Sequence, residues 1–252
     1  MRAIAATTGL VLLLVAGCAS KPENTIEPGH EGAPGVERFL LCSPNMILGL
    51  PAQLQGATTP VRNEIEEYLR LQEREVQRLN LYDGKIVWNR SVERAKREGD
   101  IGRATEIFAS ELGKYFEFQA IVVPSVILHQ TRVSSSSGSW DGVRRHLRMQ
   151  NVPTANAGSR GEDTLADGLA LGGVTGDVAV TSLHVLVFDG QGTRVFEGRG
   201  GLDFIHDIDL SKVKSSYEFD FVLRRDLLQD SEALREGIEI AFTPYLAPTE
   251  EP

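Results

Sequence analysis

Apolar and polar positions follow two rhythms along this chain, and each change of rhythm marks an element. Residues 38–43 form a short continuous apolar run, the pattern of a strand buried on both faces. After a connection rich in Gly, Pro and Gln, Thr59 and Pro60 supply an N-cap and a proline for the first helical position. Val61, Ile65, Tyr68, Leu69, Val76 and Leu79 then recur at helical spacing and predict one long helix with a single apolar face. Its other face carries Glu66/Arg70 and Glu75/Arg78, pairs worth on the order of a few tenths of a kcal/mol each, and reads as solvated surface. Residues 85–89 read as a second strand and 91–98 as a short helix closed by Gly99. Asp100 can cap the next helix, where Ile101, Ala104, Ile107, Phe108, Leu112 and Tyr115 repeat at intervals of three or four.

The second half of the chain changes to strand periodicity. Residues 118–128 are the longest apolar strand signal, and Pro124 within them implies an edge, a bulge or a break. A polar serine loop, Ser134 to Ser139, precedes residues 143–149, where Val143, Leu147 and Met149 alternate with Arg144, His146 and Arg148. That alternation predicts a half-buried strand with a basic outer face, with Arg145 as the exception on the apolar side. The glycine-rich stretch 151–177 reads as a mobile loop or a segment ordered by a partner. Residues 178–188, the turn Asp189-Gly190-Gln191-Gly192 and residues 193–197 form the clearest hairpin signal, and Gly198, Gly200 and Gly201 behind it suggest a bulge or strand end. Asp230 or Ser231 can cap a last helix with Ala233, Leu234, Ile238, Ala241, Phe242 and Tyr245 on its apolar face, ended by Pro244. This order of elements implies a single α/β domain, a mixed sheet flanked by helices.

The amino terminus carries an address. Arg2 is the only charge among the first twenty residues, and the apolar run behind it has the length of a secretory signal rather than of a spanning helix. The run ends in Val15-Ala16-Gly17-Cys18, which resembles the bacterial lipobox. The resemblance implies a lipoprotein signal peptide at 1–17, diacylglycerol and palmitate on Cys18, and anchoring through several acyl chains. Ala19 and Ser20 follow, with no aspartate at the positions that hold lipoproteins at the inner membrane, so the resemblance implies the outer membrane, facing the periplasm. Residues 18–35, rich in Pro, Gly and polar side chains, read as a flexible tether before a periplasmic domain at 36–248 that holds a Gly/Ser-rich excursion at 132–177.

Composition sharpens this picture. A hydrophobic fraction of 41% and a charged fraction of 24% suit an ordinary globular domain. Removal of 1–17 leaves 25 basic and 35 acidic residues, a net charge of -10, which argues against nucleic acid as a partner. With Cys18 acylated, Cys42 is the only free thiol, so no internal disulfide can form, and its apolar surroundings suit a small buried side chain better than a reactive one.

The pattern order also resembles a known group. The strand at 38–43, the helix beginning at Arg62, the passage ELGKYFEFQAIVVPSV and the hairpin VTSLHVLVFDGQGTRVFEGRG are similar to the domain shared by the TolB N-terminus, the curli secretion lipoprotein CsgG and the peptidoglycan synthase activator LpoB. Glu111-Leu112-Gly113 matches the turn that feeds the central strand there, and Phe196-Glu197-Gly198 matches the step after the hairpin. The sequence departs from the group at Pro124 and in the length of the 132–177 excursion. The resemblance implies a noncatalytic periplasmic module that binds proteins of an envelope machine for secretion, surface-structure assembly or peptidoglycan synthesis. A homo-oligomeric export component related to curli-type secretion is the alternative it implies.

Searching for chemistry adds few candidates. No Gly-x-Ser-x-Gly, Cys-x-x-Cys, His-Glu-x-x-His or Gly-Lys-Ser/Thr motif occurs, and no cofactor is expected. Asp203, His206, Asp207 and Asp209 form the one group with metal-ligand chemistry and would serve a metal-dependent enzyme, but no second histidine follows at ligand spacing, and an acidic loop in solvent is the better reading. Arg144, Arg145 and Arg148, with Arg132 nearby, form a basic patch that reads first as a solvated strand face and second as a site for an acidic protein partner or head-to-tail copies, since residues 161–252 hold 18 acidic and 7 basic side chains.

Overall fold

Two long antiparallel strands carry the fold. In the computed structural model, which describes residues 22, 24–50, 52–54, 56, 58–150, 174–209 and 220–246, β4 (Ala120–Ser134) lies beside β8 (Gly176–Asp189) from Ala120 opposite Asp189 to Val133 opposite Gly176. Around them run β1 (Thr25–Ile26), β2 (Arg38–Leu41), β3 (Glu75–Arg78) and β9 (Arg194–Phe204), in the order β1-β9-β8-β4-β2-β3. β2 is parallel to β3 and β4, and the β4, β8, β9 and β1 pairings are antiparallel, so the sheet is mixed. β5 (Ser137–Trp140) and β6 (Val143–His146) extend it as a ribbon from the far end of β4. A second, three-stranded sheet has β10 (His206–Asp209) between β11 (Asp220–Leu223) and β7 (Met149–Gln150).

Helices cover the large sheet on both sides. On one face α1 (Thr58–Leu71) and α4 (Ser231–Phe242) bury Val61, Ile65, Leu69, Leu234, Ile238, Ala241 and Phe242 against Leu41, Val122, Leu183, Val185 and Phe196. On the other face α2 (Leu81–Glu98) and α3 (Ala104–Leu112) cover one end, where Phe108, Ala109 and Leu112 meet Leu40, Ile121, Val123 and Phe188. The β5–β6 ribbon covers the other end with Trp140 and Val143 on Val178, Val180 and Phe204. The apolar periodicity of α1, α3, α4 and of strands β2, β4 and β8 matches these buried faces.

Close backbone approach explains the glycines of β9. A Cβ on Gly200 or Gly198 would collide with the main-chain oxygens of Gly237 and Ala241, so α4 sits on the sheet at a distance that only glycine permits. The expected bulge is also there, as a register shift between the pairs Ser182–Gly201 and Val180–Phe204.

Pro124 stands inside β4, yet its position is a local edge. The ladder with β2 ends at Leu41 opposite Val122, and the Pro124 carbonyl, on that same side, accepts from the Asn45 N–H at 3.0 Å. The missing N–H therefore faces the side where no strand continues, as proline requires. The Asn45 side chain stands in for the lost strand: its oxygen accepts from Val126 N at 2.9 Å and its nitrogen donates to Val126 O at 3.0 Å.

Four expectations are corrected. The long first helix stops at Leu71, where Glu73 turns the chain at φ +60. Val76 then belongs to β3, paired with Phe39, because a spacing of seven residues between Leu69 and Val76 suits a helix face and a new strand equally. The strand at 85–89 is helical: Asn80 caps α2 by accepting from Asp83 N at 2.8 Å, Gly99 closes it at φ +78, and the apolar triplet Ile86-Val87-Trp88 lies within it. The serine loop at 134–139 is the tight turn Ser135-Ser136, both at positive φ, joining β4 to β5. Finally, residues 24–35 of the expected tether belong to the fold. Thr25 pairs with Glu197, Asn24 donates to the carbonyls of Ile240 and Thr243 at 2.6 Å each, and Ala33 N donates to Tyr245 O at 2.9 Å. The signal segment, Cys18 and most of the glycine-rich stretch lie outside the described residues.

Candidate functional site

Between the two apolar ends of the helix α2–α3 face, the sheet carries a polar strip. Strand pairing places Ser125 and His129 of β4, Ser182 and His184 of β8 and Arg199 of β9 on the same face, since directly opposed residues share a face. The β5–β6 turn adds Asp141, held over the strip because its carbonyl accepts from Gly201 N at 2.9 Å and Trp140 Nε1 donates to Thr181 O at 3.1 Å. Asp141 at φ +39 and Gly142 at φ +84 form the Asp-Gly turn that favours such a hairpin.

Two histidine–carboxylate groups sit in this strip. Ser182 Oγ donates to Asp141 Oδ2 at 2.6 Å and lies 2.8 Å from His129 Nε2, which is itself 3.4 Å from the same carboxylate oxygen. Burial pushes the Asp141 carboxyl up, and the hydrogen bonds from His129 and Ser182 with the Arg199 charge outweigh it, so it titrates below its ordinary range. In the second group His184 Nε2 lies 2.9 Å from Glu197, whose other oxygen accepts from Arg194 at 2.8 Å. Arg194 reaches on to Glu27 at 2.8 Å, which ties the chain beyond β1 to the strip.

Serine, histidine and aspartate together suggest acyl transfer, but the arrangement differs from a triad. In a triad the serine hydroxyl donates to the imidazole, and the carboxylate holds the other ring nitrogen. Here the carboxylate takes the serine proton directly and lies against the same ring nitrogen. Ser182 is also fully buried. The group is built as a clamp between β4, β8 and the ribbon. His129, Asp141 and Ser182 are far apart in the chain and only strand register unites them, whereas His184 and Glu197 stand 13 positions apart across the Asp189 hairpin, where the hairpin pairing could have found them.

The acidic quartet is no solvated loop. Asp203 ends β9, and in β10 His206 faces away from Asp207 and Asp209, as alternation in a strand demands. His206 packs edge-on against Phe221, and burial pushes its pKa down. Asp203 pairs with the buried Arg224, although burial still raises its carboxyl. Asp207 takes Gln150 and Arg148, the latter at 3.4 Å. Arg224 also donates to Phe204 O at 3.2 Å and stands 3.6 Å from Asp207 and 3.5 Å from Asp226. Among the described residues no group of three His, Cys, Asp or Glu side chains is placed to hold a metal.

The three candidate arginines diverge. Arg144 is exposed and donates to Ser137 Oγ at 3.1 Å. Arg145, on the opposite side of the ribbon, crosses to α4, where it pairs with Glu236 and donates to Ala233 O and Leu202 O at 3.3 Å each. Arg148 donates to Asp226 at 2.6 Å and holds that carboxyl below its ordinary range. The basic patch is therefore largely neutralised by carboxylates from later in the chain, which no local reading can foresee. Cys42 is fully buried, and burial pushes its thiol pKa far up.

No family model and no solved structure matches this chain. It is similar to the chaperone protein HscA homolog of Aeromonas hydrophila subsp. hydrophila, 31% identical over 137 residues, a stretch that is 52% of this chain and 22% of the chaperone. The chain thus spans about a fifth of the length of that relative, and the likeness describes that stretch alone.

Proposed function

We propose that this chain is a lipid-anchored periplasmic adaptor or assembly lipoprotein of the TolB N-terminal, CsgG and LpoB type, held at the outer membrane and supporting an envelope machine by binding protein. The observation that carries the reading is the four-residue lipobox ending in Cys18, directly behind an apolar run of signal length. A mixed sheet under helices on both faces is compatible with the group it resembles.

On this reading the short stretch from Cys18 to Asn24 sets the reach of the domain. Six residues span at most about 20 Å when fully extended, and Asn24 is bonded to the end of α4. The domain then works close to the bilayer rather than on a long tether, with the C-terminal end of α4 on the membrane side.

Palmitate labelling and membrane fractionation test this. The wild-type chain takes up label and sediments with the outer membrane, and Cys18→Ala loses both properties. An unlabelled wild type, together with a Cys18→Ala chain that still sediments with the outer membrane, would overturn the reading.

A further inference from the structure

A cleft of about 310 Å³ opens between α2 and α3 on the side away from the sheet. Val87, Arg90, Ser91, Arg94 and Arg97 of α2 line it, with Ile107, Glu111 and Tyr115 opposite. The arginines recur at intervals of four and three, so they form one stripe along the helix. Ile107 and Ser91 are buried, and the Ser91 hydroxyl donates back to Val87 O at 2.9 Å, which leaves an apolar floor. Tyr115 stands on the rim, 77% exposed.

The lining of the cleft carries three arginines and one glutamate. Arg94 is taken by Glu98 at 2.9 Å and approaches Glu111 at 3.8 Å, and Glu111 is already paired with Lys114 at 2.7 Å. Arg97 donates to the Glu93 carbonyl at 3.3 Å and forms no ion pair within 4 Å, although its charge helps hold the Glu93 and Glu98 carboxyls below their ordinary range. Arg90 has no hydrogen bond or ion pair among the described residues. Arg90 and Arg97 thus stand outside direct ion pairs over an apolar floor, although their charges are felt by Glu111 and by Glu93 and Glu98 at longer range.

We propose that the α2–α3 cleft docks an acidic segment of a partner protein. Its carboxylates pair with Arg90 and Arg97, and an apolar side chain between them seats on Val87 and Ile107. The planar guanidinium fork suits carboxylates. Glu111 in the wall disfavours a doubly charged phosphate more than single, spaced carboxylates. A concave site also suits a protruding chain better than the flat surface of a bilayer. The proposal rests on the protein-binding role above and names the chemistry of the partner.

The test uses the full chain in detergent and a short fluorescein-labelled peptide of alternating glutamate and leucine, followed by anisotropy. The wild type binds the peptide, and rising salt weakens the complex. Arg90→Glu and Arg97→Glu each lower affinity about tenfold or more, while Arg225→Glu, an exposed arginine outside both basic groups, leaves it unchanged. Arg90→Gln removes the charge without adding a carboxylate and covers the case in which a reversal unfolds the chain; thermal melts confirm that the variants are folded. Equal binding of a glutamine–leucine peptide, no binding of the acidic peptide, or affinity unmoved by the arginine changes would overturn the proposal. So would arginine-dependent capture by phosphatidylglycerol vesicles with no peptide binding. Cys18→Ala full-length chain that still binds the peptide would leave this site standing even if the anchoring reading fails.

Discussion

Two groups of arginines in this protein look alike in sequence and differ in their surroundings. Arg145, Arg148 and Arg224 are met by carboxylates from distant parts of the chain: Glu236 on α4, Asp207 on β10, Asp203 on β9 and Asp226 before α4. Arg90 and Arg97 lie on one helix with acidic residues nearby in sequence, yet no carboxylate stands within ion-pair distance of either among the described residues. Burial explains the pairing of Arg224 and Arg145, 3% and 19% exposed, while Arg148, 44% exposed, is paired because β10 and the segment before α4 bring Asp207 and Asp226 to it. A charge inside the fold must be paired, since removal from water costs several kcal/mol, whereas a charge on a helix surface remains hydrated and can stay open. Local charge density therefore does not tell which arginines are available, and the apparent basic patch at 144–148 is the less available of the two.

The sharpest way to break this comparison is at Arg224. Its side chain is 3% exposed, so Arg224→Met leaves Asp203 buried without its counter-charge and Asp207 with Arg148 alone. Urea unfolding should show a loss of about 3–5 kcal/mol, and a loss below about 1 kcal/mol would mean that the ion network contributes little. Next comes Glu66, which the spacing presents as a surface partner of Arg70. It is buried, held by Arg70 at 2.6 Å and also by Arg78 from β3. Glu66→Gln should cost about 1–3 kcal/mol in the same assay, well above the value for an exposed helix pair.

A smaller effect is expected in acid. The Asp141 carboxyl titrates lower in the folded chain than in the unfolded one, so its stabilising share is complete above the unfolded value of about 3.9. That share is lost as pH falls through the lower, folded value. Stability of the wild type should therefore fall below about pH 4, and Asp141→Asn should show a shallower fall over the same window. Identical pH profiles would separate Asp141 from the acid response. The smallest effect on stability belongs to the open group: Arg90→Glu should shift unfolding by no more than about 0.5 kcal/mol while it weakens binding of the acidic peptide.

Much of the fold was legible, and the failures have particular causes. The hairpin over Asp189 read correctly because its turn is specified within four residues: Asp189 Oδ1 accepts from Gln191 N and Thr193 N at 2.9 Å each. The cap at Asp230 read correctly for the same reason, since it accepts from Glu232 N and Ala233 N at 3.1 Å each. The helix start at Asn80 is hidden in the sequence although Asn80 is itself a capping residue, because the triplet Ile86-Val87-Trp88 has strand character and dominates a short window. Residues 24–35 give no local sign of belonging to the fold for a different reason. Asn24 and Thr25 carry no apolar signal, and what holds them are main-chain and amide hydrogen bonds to β9 and α4, more than 150 positions away.

The candidate site was far less legible. His129, Asp141 and Ser182 meet only because β4 and β8 pair in one register and a tight hairpin folds over them; a slip of one residue would send Ser182 to the opposite face. The α2–α3 cleft needs the same kind of information, since Ile107 and Tyr115 come to face Arg90 only when the two helices pack.

By itself the sequence determined what short-range physics can specify: the signal-length apolar run and its cysteine, the capped helices, the turn at Asp189 and the alternating apolar faces that demand a sheet under helices. Tertiary structure alone decided which charges are paired and which are open, that Pro124 occupies a local edge, and that Gly198 and Gly200 are places where a helix rests on a strand. The reason is range. Caps, turns and periodicity act over a few residues, whereas ion pairs, strand register and close packing depend on segments that meet only once the chain has folded.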